Sequence, residues 1–398
     1  MLDASLDVVK PLDIQPGLPA AEFKAFVNSV YQMGASDIKF ASNDFVWADI
    51  NRRWTRVSSR RLEDQEIARA ITILNDQSAL GILSSGKPID DRVDLSLNAD
   101  DINEFRLNAT ACMVAGIRDG ASVTMRAIPK SIPSLETLGI EQEIIDNLFP
   151  RYGLILVVGT TGSGKSTFQA SANAFRLVSR RHDPVAIGTF EDPIEYSLAG
   201  LAQGFMPEPC QSSIGPGKHL KEFSMAGPNA MRRRFDVIVL GEIRDVESAR
   251  TTGEMTRTGH AVQATMHVDT PGDCFDRLIK FFPHEQQVSE SSAMLGQLRM
   301  VVAQKLARTV QGGKIAFRSW IVIDRELRLA LGAIPPDQWS RFVSARIAAK
   351  GHDFETSAYQ ALGAGKITGE VFCEISGLTK AEAHDFVIER GGDVSCLG

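Results

Sequence analysis

An α/β architecture in two parts is what this sequence predicts: a parallel-sheet domain over residues 138–398, preceded by a smaller α+β domain over residues 21–130. Three observations carry the expectation. Beyond about residue 138, short aliphatic runs (LILVVG, VAIGTF, FDVIVLG) alternate with helix-compatible stretches. A glycine-rich turn with one lysine, GTTGSGKST, follows the first of those runs directly. The N-terminal third instead shows period-two alternation broken by helical spacing.

The 398 residues suffice for two or three domains with buried cores. A net charge of −6 gives no global reason to expect nucleic-acid or anionic-membrane binding. The longest apolar runs are far too short to span a bilayer. The opening MLDASLDVVK has no basic segment followed by an apolar core, so no signal peptide is expected. Five cysteines, with no CxxC pair, argue against a disulfide framework or a structural zinc. A reducing cytoplasm is the expected compartment.

In chain order, residues 1–20 carry three prolines and read as a loose lead-in. Phe23, Phe26, Val27, Val30 and Tyr31 then fall at helical spacing. SDIKF and DFVWADI read as strands joined at Ser42–Asn43, residues 62–84 as helical, and DLSLNADDINEFRLNAT as a hairpin with a polar turn at residues 98–101. Pro129, Pro133 and the helix-start signal SLE at 134–136 mark a linker, set at 131–137. From 138 the strand–helix alternation begins, and beyond about 285 the chain reads as mostly helical. TKAE at 379–382 starts a last helix as a capping box, with Gly391 placed to end it. The apolar residues of 331–398 fall at helical spacing and read as core.

GTTGSGKST fits GxxxxGK[ST] in full, between a strand and a helix-compatible segment. Gly159, Thr160, Thr161, Gly162, Ser163, Gly164, Lys165, Ser166 and Thr167 therefore form the expected nucleotide cradle. Glycines let successive backbone N–H groups turn inward on phosphate oxygens, and the helix N-terminus adds partial positive charge. Lys165 is expected on the β- and γ-phosphates of ATP and Ser166 on Mg²⁺. Hydrolysis also needs a group that orients or deprotonates water. Glu242, at the end of FDVIVLGE, is the candidate, since it sits where a strand's C-terminus meets the cradle. Gly241 stands where many P-loop enzymes place a metal-holding aspartate, so that carboxylate must come from elsewhere or Mg²⁺ is held through water. EDPIE, residues 191–195, supplies the candidate Glu191; its alternative reading is a solvated loop. Asp236 opens its strand at the wrong end and reads as structural. His260 and His267 make a poor metal pair. They read equally well as buried, hydrogen-bonded histidines or as sensors of the γ-phosphate.

GTTGSGKST, GTFEDPIEY, VIVLGEIRD and TGHAVQATMH, in this order, resemble the Walker A, aspartate box, Walker B and histidine box of the type II/IV secretion superfamily of traffic ATPases. RAIPKSIPSLETLGI resembles that family's interdomain linker and FRLNAT one of its N-terminal strands. The resemblance covers about residues 105–310 strongly and 21–105 weakly. It implies a RecA-like C-terminal domain, a PAS-like N-terminal domain and a homo-hexameric ring that closes on ATP held between the two. It also implies a cytoplasmic protein held at the inner membrane by components of a secretion or conjugation apparatus. Carried over residue by residue, Glu242 becomes the catalytic glutamate and Glu191 supports Mg²⁺ or water. His267 contacts the γ-phosphate with His260 behind it. Arg106 and Arg126 match the arginines that reach the phosphates, and Arg118 is a further candidate. The sequence departs at Glu104, where the family usually has an arginine.

No tetracysteine insert of the assembly type is present, nor an AIRNLIRE-like helix of the retraction type. CQSSIGPG followed by PNAMRRRFDVIVLGE resembles instead the branch serving type IVB secretion and IncI-type conjugal transfer. A pilus motor, a small-metabolite kinase and an ATP-switched binding module without turnover stay open as alternatives. The only tight basic cluster, MRRRF, abuts a core strand, so strong DNA binding is not expected.

Overall fold

The computed structural model describes residues 10–50, 53–98, 101–129, 131–179, 183–215 and 218–397. The chain divides into two compact units, residues 1–131 and 132–398.

The first unit runs α1 (Ala20–Gln32), β1 (Ala35–Ala41), β2 (Asp44–Ile50), β3 (Arg53–Leu62), α2 (Asp64–Leu74), α3 (Ala79–Ser84), β4 (Ile89–Asn98), β5 (Asp101–Val114) and β6 (Ile117–Ala127). Its sheet has the order β3-β2-β1-β6-β5-β4 and is antiparallel throughout. The apolar stripe of α1 (Phe23, Phe26, Val27, Val30) packs with inward residues of the sheet such as Ile38, Phe40, Phe105, Val123 and Met125. Part of the expected turn at residues 98–101 lies outside the described residues.

Three expectations need correction. Residues 12–18 are no loose lead-in, because Leu12, Ile14 and Leu18 join this core. The segment is pinned by the pair of half-buried Arg60 and buried Glu66. Arg60 Nε donates to Ile14 O at 2.9 Å and its Nη2 to Gln15 O at 2.7 Å, while Gly17 N donates to Glu66 Oε1 at 2.7 Å. Arg60 also holds the Glu66 carboxyl down to about 2. Second, the strand β3 was not legible: four arginines in RWTRVSSRRL hide its apolar side, of which Val57 and Leu62 are buried. Third, SLE starts no helix. Ser134 Oγ accepts from Thr137 N at 3.1 Å and closes only a turn. Ile132 and Leu135 nonetheless pack onto the second unit, so that part of the presumed linker is core.

The second unit runs α4 (Gln142–Asn147), β7 (Gly153–Val158), α5 (Lys165–Val178), β8 (Ile187–Glu191), β9 (Cys210–Ser213), α6 (Ala226–Arg232), β10 (Val237–Leu240), α7 (Val246–Arg257), β11 (Ala261–Met266), α8 (Pro271–Lys280), α9 (Gln287–Gln297), β12 (Leu298–Arg308) and β13 (Lys314–Val322). It ends in α10 (Arg325–Gly332), α11 (Trp339–Lys350), α12 (Phe354–Gly363), α13 (Gly369–Ser376) and α14 (Lys380–Glu389). The sheet order is β13-β12-β7-β11-β10-β8-β9, parallel except for the edge strand β13. Strands β7, β10 and β11 are buried along their whole length, as parallel strands covered on both faces must be. Residues alternate between two cores. Leu154, Leu156 and Val158 join the layer of Ala249, Phe275 and Met294, whereas Ile155 and Val157 face Ile144, Phe168 and Trp320.

The expectation of a mostly helical chain beyond 285 is overturned by β12 and β13. Seven of the eleven residues of β12 are buried, those at 300–304 without a break, so it lacks the alternation that marks a half-exposed strand, and such a run reads equally as a helix. The last helices do supply core: Trp339, Val343, Phe354, Phe372 and Ala383 continue the larger cluster. The capping box at α14 is present, with Glu382 N donating to Thr379 Oγ1 at 3.3 Å and Thr379 N to Glu382 Oε2 at 2.8 Å. Among the described residues no helix is long and apolar enough to cross a membrane.

Candidate nucleotide site

The carboxyl ends of β7, β8, β10 and β11 meet at one edge of the second unit, where open α/β sheets bind ligands. β7 delivers the chain at Val158 into the loop 159–164, and Gly164 caps α5 in the left-handed region with φ 88°. A Cβ on Gly159 would fall 2.5 Å from both Gln304 O and Ser163 Oγ, and one on Gly164 2.7 Å from Gln304 Nε2. Only glycine lets the loop lie this close to β12. Thr160, Thr161 and Gly162 form its exposed tip, and Ser166 and Thr167 sit in the first turn of α5.

Lys165 is 8% exposed and curls over the loop, donating to Gly159 O at 2.8 Å and Thr160 O at 2.9 Å. Burial pushes its pKa down, against the opposing pull of the Glu242 and Glu195 charges. Ser163 Oγ is buried without a hydrogen-bond partner. A buried ammonium, an unpartnered hydroxyl and the free N–H groups of a helix N-terminus fit a polyphosphate.

Glu242 follows β10 on a backbone held from both sides. Gly241 N donates to Phe190 O at 2.8 Å, Ile243 N to Thr265 O at 2.8 Å, and Thr265 Oγ1 to Gly241 O. Its carboxylate Oε1 lies 3.5 Å from His267 Nε2, so the ends of β10 and β11 bring these two side chains together. Gly241 has a steric reason to lack a side chain: a Cβ there would stand 3.3 Å from Glu191 Cα and 3.4 Å from Phe190 O. An aspartate would push into the end of β8.

Glu191 ends β8, where Thr189 Oγ1 donates to its Oε1 at 2.6 Å and Gln211 Nε2 approaches the same oxygen at 3.5 Å. Gln211 is itself fixed by Leu198 N at 2.7 Å and Tyr196 O at 2.9 Å. Tyr196 hydrogen-bonds Thr167 Oγ1 at 2.8 Å. EDPIE is thus no solvated loop at its first residue. The residue keeps some exposed surface, but its carboxyl lies deep enough that desolvation raises its pKa to about 7. In the folded protein this group holds a proton that the unfolded chain releases near pH 4.5. Its stabilising contribution is therefore complete below about pH 4.5 and fades as pH rises through about 7. We expect Glu191→Gln, without nucleotide or Mg²⁺, to flatten the decline of the thermal midpoint across that window. An unchanged slope in the variant would remove Glu191 as its source.

Among the described residues no three His, Cys, Asp or Glu side chains gather into a metal cage. The Ser166 hydroxyl, in the first turn of α5, and the Glu191 carboxyl, at the end of β8, are oxygen groups of the kind Mg²⁺ takes, an ion that needs few protein ligands and keeps its waters.

His260 is a correction. It precedes β11 at the end opposite His267, roughly 20 Å away along the strand. Its Nδ1 is shared with Thr258 Oγ1 at 2.9 Å and Met255 O at 3.1 Å. It caps α7 and cannot back His267. Asp236 Oδ2 accepts from Ala186 N at 2.8 Å, a structural role. In MRRRF, Arg232, Arg233 and Arg234 are exposed, and Arg233 lies over the Phe235 ring at 4.8 Å.

In the first unit, Arg106 on β5 is in register with Arg126 on β6 and with Arg92 on β4, so three arginines share one row on one face. Arg126 is 61% exposed at the side chain and donates to Asp37 Oδ1 at 2.8 Å. Arg92 pairs with Glu104, the residue that departs from the family pattern. Sequence reading missed Arg92, because only strand register aligns it with the other two. It missed Gln304 and Arg318 for the same reason, since neither stands in a motif, and it gave no role to Thr189 and Gln211, which lie inside GTFEDPIEY and CQSSIGPG.

This fold and cradle define a P-loop ATPase. The profile of the family described as Type II/IV secretion system protein matches residues 19–322, and the chain belongs to that family. It is 29% identical to the type IV pilus retraction ATPase PilT of Pseudomonas aeruginosa over 293 residues, 72% of this chain and 78% of that protein. It is 37% identical to the uncharacterized protein YggR of Escherichia coli over 199 residues, 50% of this chain and 58% of the relative. The crystal structure of the Legionella pneumophila ATPase DotB superposes with a TM-score of 0.82 at 28% identity, covering 94% of this chain and all of that one.

Proposed function

We propose that this chain forms a homo-hexameric ring that binds ATP with Mg²⁺ and couples hydrolysis to movement of its two units. In this reading it powers a type IV secretion or conjugal-transfer apparatus from the cytoplasm, held at the inner membrane by partner proteins. The observation that carries the reading is the approach of Glu242 to His267, 3.5 Å, at the same sheet edge as a buried cradle lysine that feels the Glu242 charge. Glu242 takes the proton of a water that attacks the γ-phosphorus as the bond to the β–γ bridging oxygen breaks and ADP leaves, and His267 contacts the γ-phosphoryl oxygens. Lys165 and the loop N–H groups hold the phosphates. Ser166 and Glu191 would hold Mg²⁺, which would neutralise phosphate charge as it develops. Arg106 and Arg126 are assigned to the charge of the transition state. The antiparallel sheet of the first unit supports a PAS-like domain.

The similarity to DotB over nearly the whole chain favours the secretion branch. The PilT relative favours a second reading, a pilus motor. Particle averaging with and without ATP and Mg²⁺, alongside phosphate release, tests the class: sixfold rings that turn over are expected. Rings without turnover would leave an ATP-switched binding module. Loss of pilus-dependent motility, rather than of transfer, on deleting the gene would select the pilus reading.

A further inference from the structure

We infer that Gln304 is a positioning residue for the phosphate cradle, locked in place by the buried Arg318. β12 pairs with β7 up to Ala303↔Val158, so residue 304 is the first beyond the pairing and falls beside the loop. Gln304 meets that loop twice, its carbonyl 2.5 Å from where a Cβ on Gly159 would be and its amide nitrogen 2.7 Å from where a Cβ on Gly164 would be. Gln304 Nε2 donates to Ser163 O at 2.7 Å. Its Oε1 accepts from Arg318 Nε at 2.9 Å, across the register pair Gln304↔Arg318 of β12 and β13. Arginine only donates, so this contact fixes which way the Gln304 amide faces.

Arg318 is 1% exposed, yet its guanidinium is held on three further sides. Nη2 donates to Leu138 O at 2.8 Å, and Nη1 to Gly139 O at 3.0 Å and Glu141 Oε2 at 3.2 Å. A buried charge contributes little net stability compared with an apolar core of the same volume. Its use here is geometric. In a trans peptide the C=O and the following N–H point in opposite directions. Holding Ser163 O toward Gln304 therefore aims the Gly164 N–H away from β12 and into the cradle. The rigid end of this relay is the entry segment 138–141, so the loop is referenced to the first residues of the second unit.

The inference rests on the nucleotide-binding reading above, and the test separates the two. Gln304→Glu places an acceptor against Ser163 O while keeping a partner for Arg318. Gln304→Met removes the donor at similar volume. Both should weaken ADP binding by about tenfold or more, the glutamate variant further. KM for ATP should rise in step, while kcat at saturating ATP stays within about twofold, as expected when uniform binding is lost. Parent-like ADP affinity in both variants would overturn the inference. So would a fall in kcat at unchanged affinity, or failure of both variants to fold, since either would make Gln304 a residue of the scaffold. Lys165→Ala run alongside checks the reading beneath: if it binds ADP like the parent, the cradle is not a phosphate site and the clamp has nothing to position.

Discussion

Glu242→Gln lowers steady-state phosphate release by about 10²–10⁴-fold while ATP still binds. The substitution is nearly isosteric, and the backbone of residue 242 is fixed by main-chain bonds to β8 and β11 that the side chain does not make. Fold and cradle should survive, and what is lost is the oxygen that accepts a proton from water. The glutamine also keeps a partner for His267, which now lies 3.5 Å from the carboxylate. The decisive pair of measurements is phosphate release at saturating ATP and equilibrium binding of the same nucleotide. Turnover at the parent rate would strip Glu242 of its role and pass it to another carboxylate, Glu195 or Glu191.

Lys165→Ala acts one step earlier, on binding itself. Its ammonium is buried and makes two charge-assisted bonds to the loop carbonyls of Gly159 and Thr160. Polyphosphate binding exchanges those carbonyls for phosphate oxygens, each such bond being worth about 1.5–3 kcal/mol. Losing two or more of them predicts affinity at least about 100-fold weaker for ADP and ATP alike. The stabilisation that ADP confers on the parent should vanish from melting curves of the variant. A variant that still gained the parent's thermal shift would show that the lysine is structural. The contrast between the two substitutions is sharp: one binds and stalls, the other never loads.

Much of the site was legible because its chemistry is local in sequence. The cradle needs glycines at fixed offsets, a strand before and a helix after, and all of that lies within a dozen residues. Glu242 and His267 were legible because each follows a short aliphatic run, and parallel strands deliver their carboxyl ends to one edge. His260 was misplaced because the family resemblance was carried over without strand polarity: it stands before β11 rather than after it, so the strand carries it away from the site. Glu191 could be found but not characterised, since the burial that raises its pKa, against the hydrogen bonds from Thr189 and Gln211 that lower it, exists only in the folded chain. β12 was misread because burial on both faces erases the alternation that distinguishes strand from helix.

The sequence by itself determined that a phosphate-binding turn sits on an α/β sheet, that a glutamate and a histidine follow two of its strands, and that a separate α+β unit comes first. These are consequences of backbone stereochemistry and short-range periodicity. Only the tertiary structure decided which side chains hold those groups in place. Gln304 lies beside Ser163 although 141 residues separate them in sequence. Arg318 reaches back further still, 177 to 180 residues, to residues 138–141, and Arg92 aligns with Arg106 and Arg126 only through strand register. The physical reason is that hydrogen bonds across a sheet depend on register and strand order, which long-range packing sets and no local pattern of residues encodes.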